Sequence, residues 1–519
     1  VDTILILDFG SQYTQLIGRR VRELGVYSEI IPGESILDAQ QLKECCGIVL
    51  SGSPYSAYEA LAPILHPSVY ECGLPILGIC YGIQRMTHDQ GGSVERLGER
   101  EYGRKAVCIL PDGLTNPLFE NIAKDFSSWM SHGDSIAKPA EGWKVIAQSD
   151  GGIPAALAHV SSPWWGVQFH PEVSHCEYGL AILENFLIRI CGARRGWSMQ
   201  AYLEKEANLI RAKVGKEPVL LLISGGVDST VAGAFLLEML DPDQVYLLYI
   251  DTGLMRKAES DEVMKNLSSL GARHLRKVDA EEEFLSALAG IEDPEKKRRI
   301  IGDLFITIQE REVAALGIPD AFLVQGTLYT DLIESGKGVG AKAQVIKSHH
   351  NVRSPLVEKK RNAGRVIEPL DRLYKDEVRA LGRLLGLPSH IVGRHPFPGP
   401  GLGVRILGAV TKEKCDILRA ADDIFITELK ERGLYDKIWQ AFCVLLPVRS
   451  VGVAGDERKY GYVIALRAVT SEDGMTADVY PFESRDLIAI SSAITNKVPS
   501  VGRVAYDISS KPPATIEWE

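Results

Sequence analysis

Three short stretches of this 519-residue chain hold side chains whose types and spacing suit chemistry. In GICYGIQ, Cys80 stands between Gly78 and Gly82, after an apolar run and before a helical pattern. Glycines at these positions permit a tight strand-to-helix turn that holds a nucleophile out of a sheet. A cysteine at a helix N-terminus is favoured as thiolate by the dipole. The N–H of Tyr81 then becomes an oxyanion donor, and Gly52 in the loop SGSPYS (51–56), at the end of another apolar run, offers a second. A nucleophilic cysteine needs a base, and the base needs an orienting group. QFHPEV supplies His170 and Glu172, which point the same way in an extended segment because they are two residues apart.

The third stretch is SGGVDST, residues 224–230, between the apolar run VLLLI (219–223) and a helical pattern. Gly225 and Gly226 let successive N–H groups face an anion, those of Val227 and Thr230 lie at the start of the helix, and Ser224 and Ser229 add hydroxyls. The lysine of the G-x-x-x-x-G-K-[ST] pattern is missing, which argues against γ-phosphate transfer. Asp228 would repel bare phosphate but can hold Mg²⁺ bridging to it. Plainer readings stay open on these letters alone: a packed Cys80, a surface His170, or a Gly-Gly turn capped by Ser or Asp.

The elements that must position these residues follow an α/β rhythm. ILILDF (4–9), YSEIIP (27–32), GIVLSG (47–52) and LPILGI (74–79) read as strands with amphipathic helices between several of them. KAVCIL (105–110) and WWGVQF (164–169) read as added strands before a helix over 177–191. CGARRGW (191–197) breaks the pattern. The rhythm then restarts with VLLLI, VYLLYI (245–250), HLRKV (274–278) and AFLVQG (321–326). HPFPGPGLG (395–403) cannot be a helix interior and marks a second boundary. Beyond it come a helix (412–432), two strands (440–447 and 461–469), a helix (484–496) and a final strand in which Val504, Tyr506 and Ile508 share one face. The fold class is therefore α/β: two α/β domains with mainly parallel sheets (1–193 and 194–398) and a smaller C-terminal α+β domain (399–519).

Composition narrows the function classes. The chain is 45% hydrophobic and 24% charged with a net charge of −10, which argues against broad nucleic-acid binding but not against a local basic pocket. No apolar run reaches the ~20 residues of a membrane span, and VDTILILDFG reads as a first strand rather than a signal segment. A cytoplasmic protein is the expectation. Nine cysteines with no C-x-x-C suit neither a zinc site nor a disulfide framework. Apart from Cys80 and Cys176, all of them (Cys45, Cys46, Cys72, Cys108, Cys191, Cys415 and Cys443) read mostly as small buried hydrophobes. Residues 335–365, rich in Gly, Lys, His and Arg, read as a loop or a lid over nucleotide, acting through Lys347, His349 and His350. Adjacent histidines in an extended strand point apart, which argues against a metal pair.

DFGSQY (8–13), LSGSPYS, GICYGIQ and QFHPEV together resemble the class I glutamine amidotransferase domain. The resemblance implies that Cys80 attacks the glutamine amide, His170 is the base and Glu172 its partner. It also places Gln84 and the SHGD stretch (131–134), with Asp134, near the glutamine. SGGVDS resembles the PP-loop of N-type ATP pyrophosphatases, which split ATP between the α- and β-phosphates. LYIDTGLMR (248–256), QGTLYTDLIES (325–335), IKSHHNV (346–352), YKDEVR (374–379), RHPFPGPGLGVR (394–405), LPVRSVGVAGDERKY (446–460) and DISSKPPATIEWE (507–519) extend the likeness, collinearly, to the glutamine-hydrolysing GMP synthetases. That resemblance implies glutamine, Mg-ATP and xanthosine 5′-monophosphate (XMP) as substrates, and a homodimer formed through the C-terminal domain. It adds Asp251 and Gly326 to the ATP site and assigns Arg298, Lys511 and Glu517 to XMP. NAD synthetase of the nitrilase type would lack the Cys80 motif, and argininosuccinate synthetase would lack the amidotransferase domain. A catalytically silent sensor would be expected to lose Cys80, His170 or Asp228, all of which are present.

Overall fold

The computed structural model of the protein describes residues 2–334, 355–454, 457–471 and 477–519; Lys347, His349 and His350 lie outside them. Two compact units divide the described residues, one built on residues up to Tyr202 and the other from Leu203 onward, with the short segment beginning at Thr330 falling to the first.

The first unit is organised by one nine-stranded sheet. Its strands are β1 (Thr3–Asp8), β2 (Tyr27–Pro32), β3 (Cys45–Leu50), β4 (Ile76–Ile79), β5 (Ser93–Ile109), β6 (Asp125–Lys138), β7 (Trp143–Ser149), β8 (Pro154–His159) and β9 (Trp164–Val167). The order is β2-β1-β3-β4-β9-β8-β7-β5-β6. From β2 to β9 neighbours are parallel, and from β9 to β6 they are antiparallel, so the sheet is mixed. The parallel strands read as continuous apolar runs because helices cover both faces: Ile4, Leu5, Ile6 and Leu7 in β1 are all buried. The antiparallel half is built largely from a long hairpin, β5 and β6, whose irregular register between Arg96 and Glu101 the sequence does not announce.

The second unit holds a five-stranded parallel sheet: β10 (Val219–Ile223), β11 (Val245–Asp251), β12 (His274–Asp279), β13 (Phe322–Val324) and β14 (Val366–Ile367), in the order β12-β11-β10-β13-β14. The chain leaves β10 toward β11 on one side and later returns to β13 on the other. Such a reversal opens a crevice beyond the carboxyl ends of the strands, where ligands bind in open α/β sheets. The last four strands are β15 (Gln440–Ala454), β16 (Glu457–Thr470), β17 (Asp478–Val479) and β18 (Val501–Tyr506). β15 and β17 run antiparallel to β16, while β18 runs parallel to it. The helix Lys412–Glu431 buries Cys415, Leu418, Ala421, Phe425 and Leu429 at three- and four-residue spacing against this sheet, and Thr411 caps it by accepting from the Lys414 N–H. One apolar core contains Leu220, Phe284, Leu402, Phe425, Leu445 and Ile490, so the parallel sheet and the C-terminal elements share it.

Three expectations need correction. β15 and β16 run well past residues 447 and 461 because they continue as a hairpin beyond the core. Ile508 does not share the face of Val504 and Tyr506: β18 ends at Tyr506, and Ile508 is 74% exposed. Asp507 instead turns the chain, donating its N–H to the Leu466 carbonyl and accepting from the Ser509 N–H. Of the cysteines expected inside, Cys45, Cys415 and Cys443 are buried, but Cys46, Cys72, Cys108 and Cys191 are only half-buried.

Candidate active site

β4 ends at Ile79, and the helix Tyr81–Asp89 starts two residues later, so the reversal falls on Cys80 with φ 53° and ψ −105°. This conformation is unfavourable for a residue with a side chain and costs about 1–3 kcal/mol, so the surroundings must impose it. They do so through the Cys80 N–H, which donates to the Val167 carbonyl of β9 at 2.8 Å. The flanking glycines are required by close approach: a Cβ on Gly78 would lie 2.6 Å from the Ile83 nitrogen, and one on Gly82 would lie 2.6 Å from the Leu50 oxygen. The Tyr81 side chain turns away and donates its hydroxyl to Pro63 O, leaving its N–H among the first-turn donors of the helix.

His170 and Glu172 follow β9 and are both buried. Nδ1 of His170 meets Oε1 of Glu172 at 2.7 Å, and the Tyr13 ring contacts the imidazole edge-on at 4.9 Å. Burial alone would push the imidazole toward neutrality. The Glu172 carboxylate and Cys80 outweigh it and hold His170 well above the ordinary histidine range. The Arg20 guanidinium donates to the Glu172 carbonyl at 2.9 Å and fixes that turn. Gly52 brings the end of β3 to the same place, since a Cβ there would sit 3.6 Å from the His170 ring.

Gln84 and Asp134 also reach this neighbourhood, but their polar groups are committed to the protein. The Asp134 carboxylate accepts from the hydroxyls of Ser56 and Tyr58, and the Asp134 carbonyl accepts from Gln84 Nε2 at 2.8 Å. Gln168, two residues before His170, was not singled out from the sequence although it lies inside QFHPEV.

In the second unit the SGGVDST loop lies at the carboxyl end of β10, where the sheet order reverses. Gly225 adopts φ +81°, and the helix Val227–Met239 begins directly after Gly226. The hydroxyls shape the loop: Ser229 Oγ is 3.1 Å from Ser224 Oγ, and Thr230 Oγ1 donates to the Gly226 carbonyl at 2.9 Å. Gly326 lies over the loop, its missing Cβ 3.7 Å from the Ser229 nitrogen. Asp251, at the end of neighbouring β11, pairs with Lys277 at 3.1 Å and accepts from the Gly253 N–H. Burial favours its neutral form, but these partners prevail and hold the carboxyl below the usual range.

The lysine absent from the loop is supplied through space. Lys375 Nζ meets Asp228 Oδ1 at 2.6 Å across 147 residues of sequence. Arg394 joins it, donating to the Gly225 carbonyl at 3.3 Å, and burial pushes this guanidinium down to about 10. No group of three or more His, Cys, Asp or Glu side chains is placed to hold a metal ion among the described residues.

The residues expected at XMP fall at the C-terminal tail. Glu517 is held by Arg405 at 2.8 Å and by Gln440 at 2.7 Å. Arg298 donates to the Glu519 carbonyl, while its neighbour Lys297, fully buried, reaches Glu519 Oε2 and Ile406 O at 2.7 Å each. KKRR is therefore not a uniformly solvated face. Lys511 pairs through its backbone with Ala477. Lys297, Gln440 and Lys375 escaped sequence reading because each acts on a partner far along the chain.

Comparison with known proteins decides the family. Residues 5–190 match the family model described as glutamine amidotransferase class-I, and residues 427–518 match GMP synthase C terminal domain. The chain is 49% identical to the glutamine-hydrolysing GMP synthase of Geobacillus kaustophilus, covering 100% of this chain and 99% of that one. It is 50% identical to that of Symbiobacterium thermophilum, with the same coverage, and 49% identical to that of Aquifex aeolicus, covering 99% of each. The chain belongs to the glutamine-hydrolysing GMP synthase family. It is an enzyme of glutamine-dependent GMP synthesis, and its amidotransferase part uses glutamine as substrate. Among the described residues no helix is long and apolar enough to cross a membrane.

Proposed function

We propose that Cys80, His170 and Glu172 release ammonia from glutamine, and that the SGGVDST loop with Lys375 activates XMP with ATP so that this ammonia displaces AMP to give GMP. The Cys80 thiolate adds to the side-chain carbonyl carbon of glutamine, and the N–H groups of Tyr81 and Gly52 bind the oxyanion. Collapse breaks the C–N bond, and the imidazolium of His170 protonates the departing ammonia. Water then attacks the thioester, giving up a proton to His170, and glutamate leaves with the thiol restored.

In the second unit the C2 oxygen of XMP attacks the α-phosphorus of ATP, pyrophosphate departs, and ammonia at C2 then expels AMP. The loop N–H groups and Lys375 bind the leaving pyrophosphate. Asp228, with Asp251 nearby, would hold the magnesium that neutralises phosphate charge when bound. Arg298 and Lys511 suit the XMP phosphate, and Glu517 its ribose or base. An exposed apolar stripe of Val451, Val453 and Tyr460 near the tip of the β15–β16 hairpin supports a homodimer through the C-terminal elements. The protein is assigned to the cytoplasm.

The contact of Lys375 with Asp228 beside a lysine-free glycine loop carries this reading, because it provides a cation for pyrophosphate without the γ-phosphate geometry of a P-loop. Incubation with glutamine, Mg-ATP and XMP tests it. GMP, AMP and pyrophosphate in equal amounts are expected, and formation of ADP and phosphate would overturn it.

A further inference from the structure

The Cys80 sulfur has a polar neighbour besides His170. Gln168, fully buried at the end of β9, directs its side-chain Nε2 to Cys80 Sγ at 3.6 Å. Which end of a buried amide carries the hydrogens decides whether it favours or opposes a thiolate. Here the answer follows from a backbone atom.

The Asp134 carbonyl can only accept hydrogen bonds, and Gln84 approaches it at 2.8 Å, so Gln84 must present its NH₂ group there. The same NH₂ lies 3.2 Å from Gln168 Oε1. Reversing Gln168 would set two NH₂ groups against each other and turn an oxygen lone pair toward the sulfur. Its N–H must therefore face Cys80. The Asp134 carbonyl is fixed in turn by His132, whose Nδ1 donates to it at 2.9 Å and whose Nε2 pairs with buried Glu101 at 3.1 Å. Burial would raise the Glu101 carboxyl, but His132 and Ser149 prevail and hold it below its usual range.

We propose that Gln168 is a catalytic residue of the glutaminase reaction: its side-chain N–H supports the Cys80 sulfur as thiolate, and the relay Asp134–Gln84 fixes its orientation. His170, backed by Glu172, bears on the same sulfur, while Glu101 and His132 lie at the far end of the relay. Gln168 moves no proton. It lowers the energy of the anion before attack and of the thiolate leaving group when the thioester is hydrolysed.

The inference rests on Cys80 being the nucleophile, and the test separates the two. Full-length wild type, Gln168→Met and Gln168→Glu are inactivated with iodoacetamide from about pH 5 to 9, with loss of glutamine-dependent GMP formation as the readout. If iodoacetamide leaves the wild type active, the nucleophile assignment fails. If it inactivates the wild type, the variants decide. Gln168→Met is expected to react about tenfold more slowly at the acid end and to reach the wild-type plateau at the alkaline end. Gln168→Glu, with a carboxylate beside the sulfur, should be slower still. The glutamine kcat should fall in the same order, with KM changing less than about twofold. A Gln168→Met profile that superimposes on wild type overturns the proposal. So does loss of the alkaline plateau in both variants, which would make Gln168 a packing residue; if one variant keeps the plateau, that variant decides.

Discussion

The two sites of this chain are built to opposite specifications. In the first unit Cys80, His170 and Glu172 are buried and held against each other with 6%, 3% and 1% exposure. In the second, the side chains of Asp228 and Lys375 are 28% and 43% exposed, and their contact is a single pair at the rim of a loop. On the proposed mechanism the protein itself supplies the nucleophile in the first, which calls for a strained turn and a histidine–carboxylate pair shielded from water. In the second, the same proposal has both reacting atoms arrive with substrates, so the loop need only present donors and remain accessible. Two buried histidines repeat the contrast. Glu172 keeps His170 charged, whereas burial, reinforced by Arg256 and Arg379, pushes His395 down to about 4.

Cys80→Ala breaks the comparison most sharply. Glutamine-dependent GMP formation should fall by more than about 10⁴-fold while synthesis from ammonium chloride persists. Loss of both would mean that the two chemistries are not separate. Glu172→Gln removes the charge that holds His170 protonated, and the glutamine-driven rate should drop about a thousandfold with the ammonium-driven rate unchanged. Lys375→Met acts on the other side: both rates should fall about a hundredfold, measured as pyrophosphate release. An effect confined to the glutamine-driven rate would remove Lys375 from the nucleotide site.

The smallest effect concerns stability. A histidine kept neutral on folding stabilises fully above its unfolded value of 6.5, and this stability is withdrawn as pH falls toward the folded value of about 4. The withdrawal amounts to about 3 kcal/mol. His395→Gln should be free of that slope, so urea melts of variant and wild type should converge on acidification. Parallel lines would show that His395 is not held neutral.

Much of the scaffold was legible because local patterns and tertiary demands agreed. β2 and β10 occupy the stretches read as YSEIIP and VLLLI, apolar runs that the parallel sheets bury. The elbow was legible because the two glycines flanking Cys80 are themselves the steric requirement. What was not legible depends on partners that only folding brings together. Lys375 opens the helix Lys375–Leu384 within YKDEVR, a stretch that stood out only through the family resemblance, and nothing local links it to Asp228. Gln168 was hidden inside a motif read for its histidine, because its meaning lies in an amide orientation set by Asp134. Ile508 was misplaced since alternation continues in the letters after the strand has turned away at Asp507.

β9 is the last strand of its sheet to be made, yet it lies between β4 and β8. In one stroke its insertion supplies the carbonyl that bends Cys80, brings Gln168 and His170 to the sulfur and sets Glu172 behind His170. Completion of the sheet and assembly of the proposed glutaminase site are thus a single event. On the proposed role of Cys80, a chain still emerging from the ribosome, or one with β9 peeled away, would not yet consume glutamine.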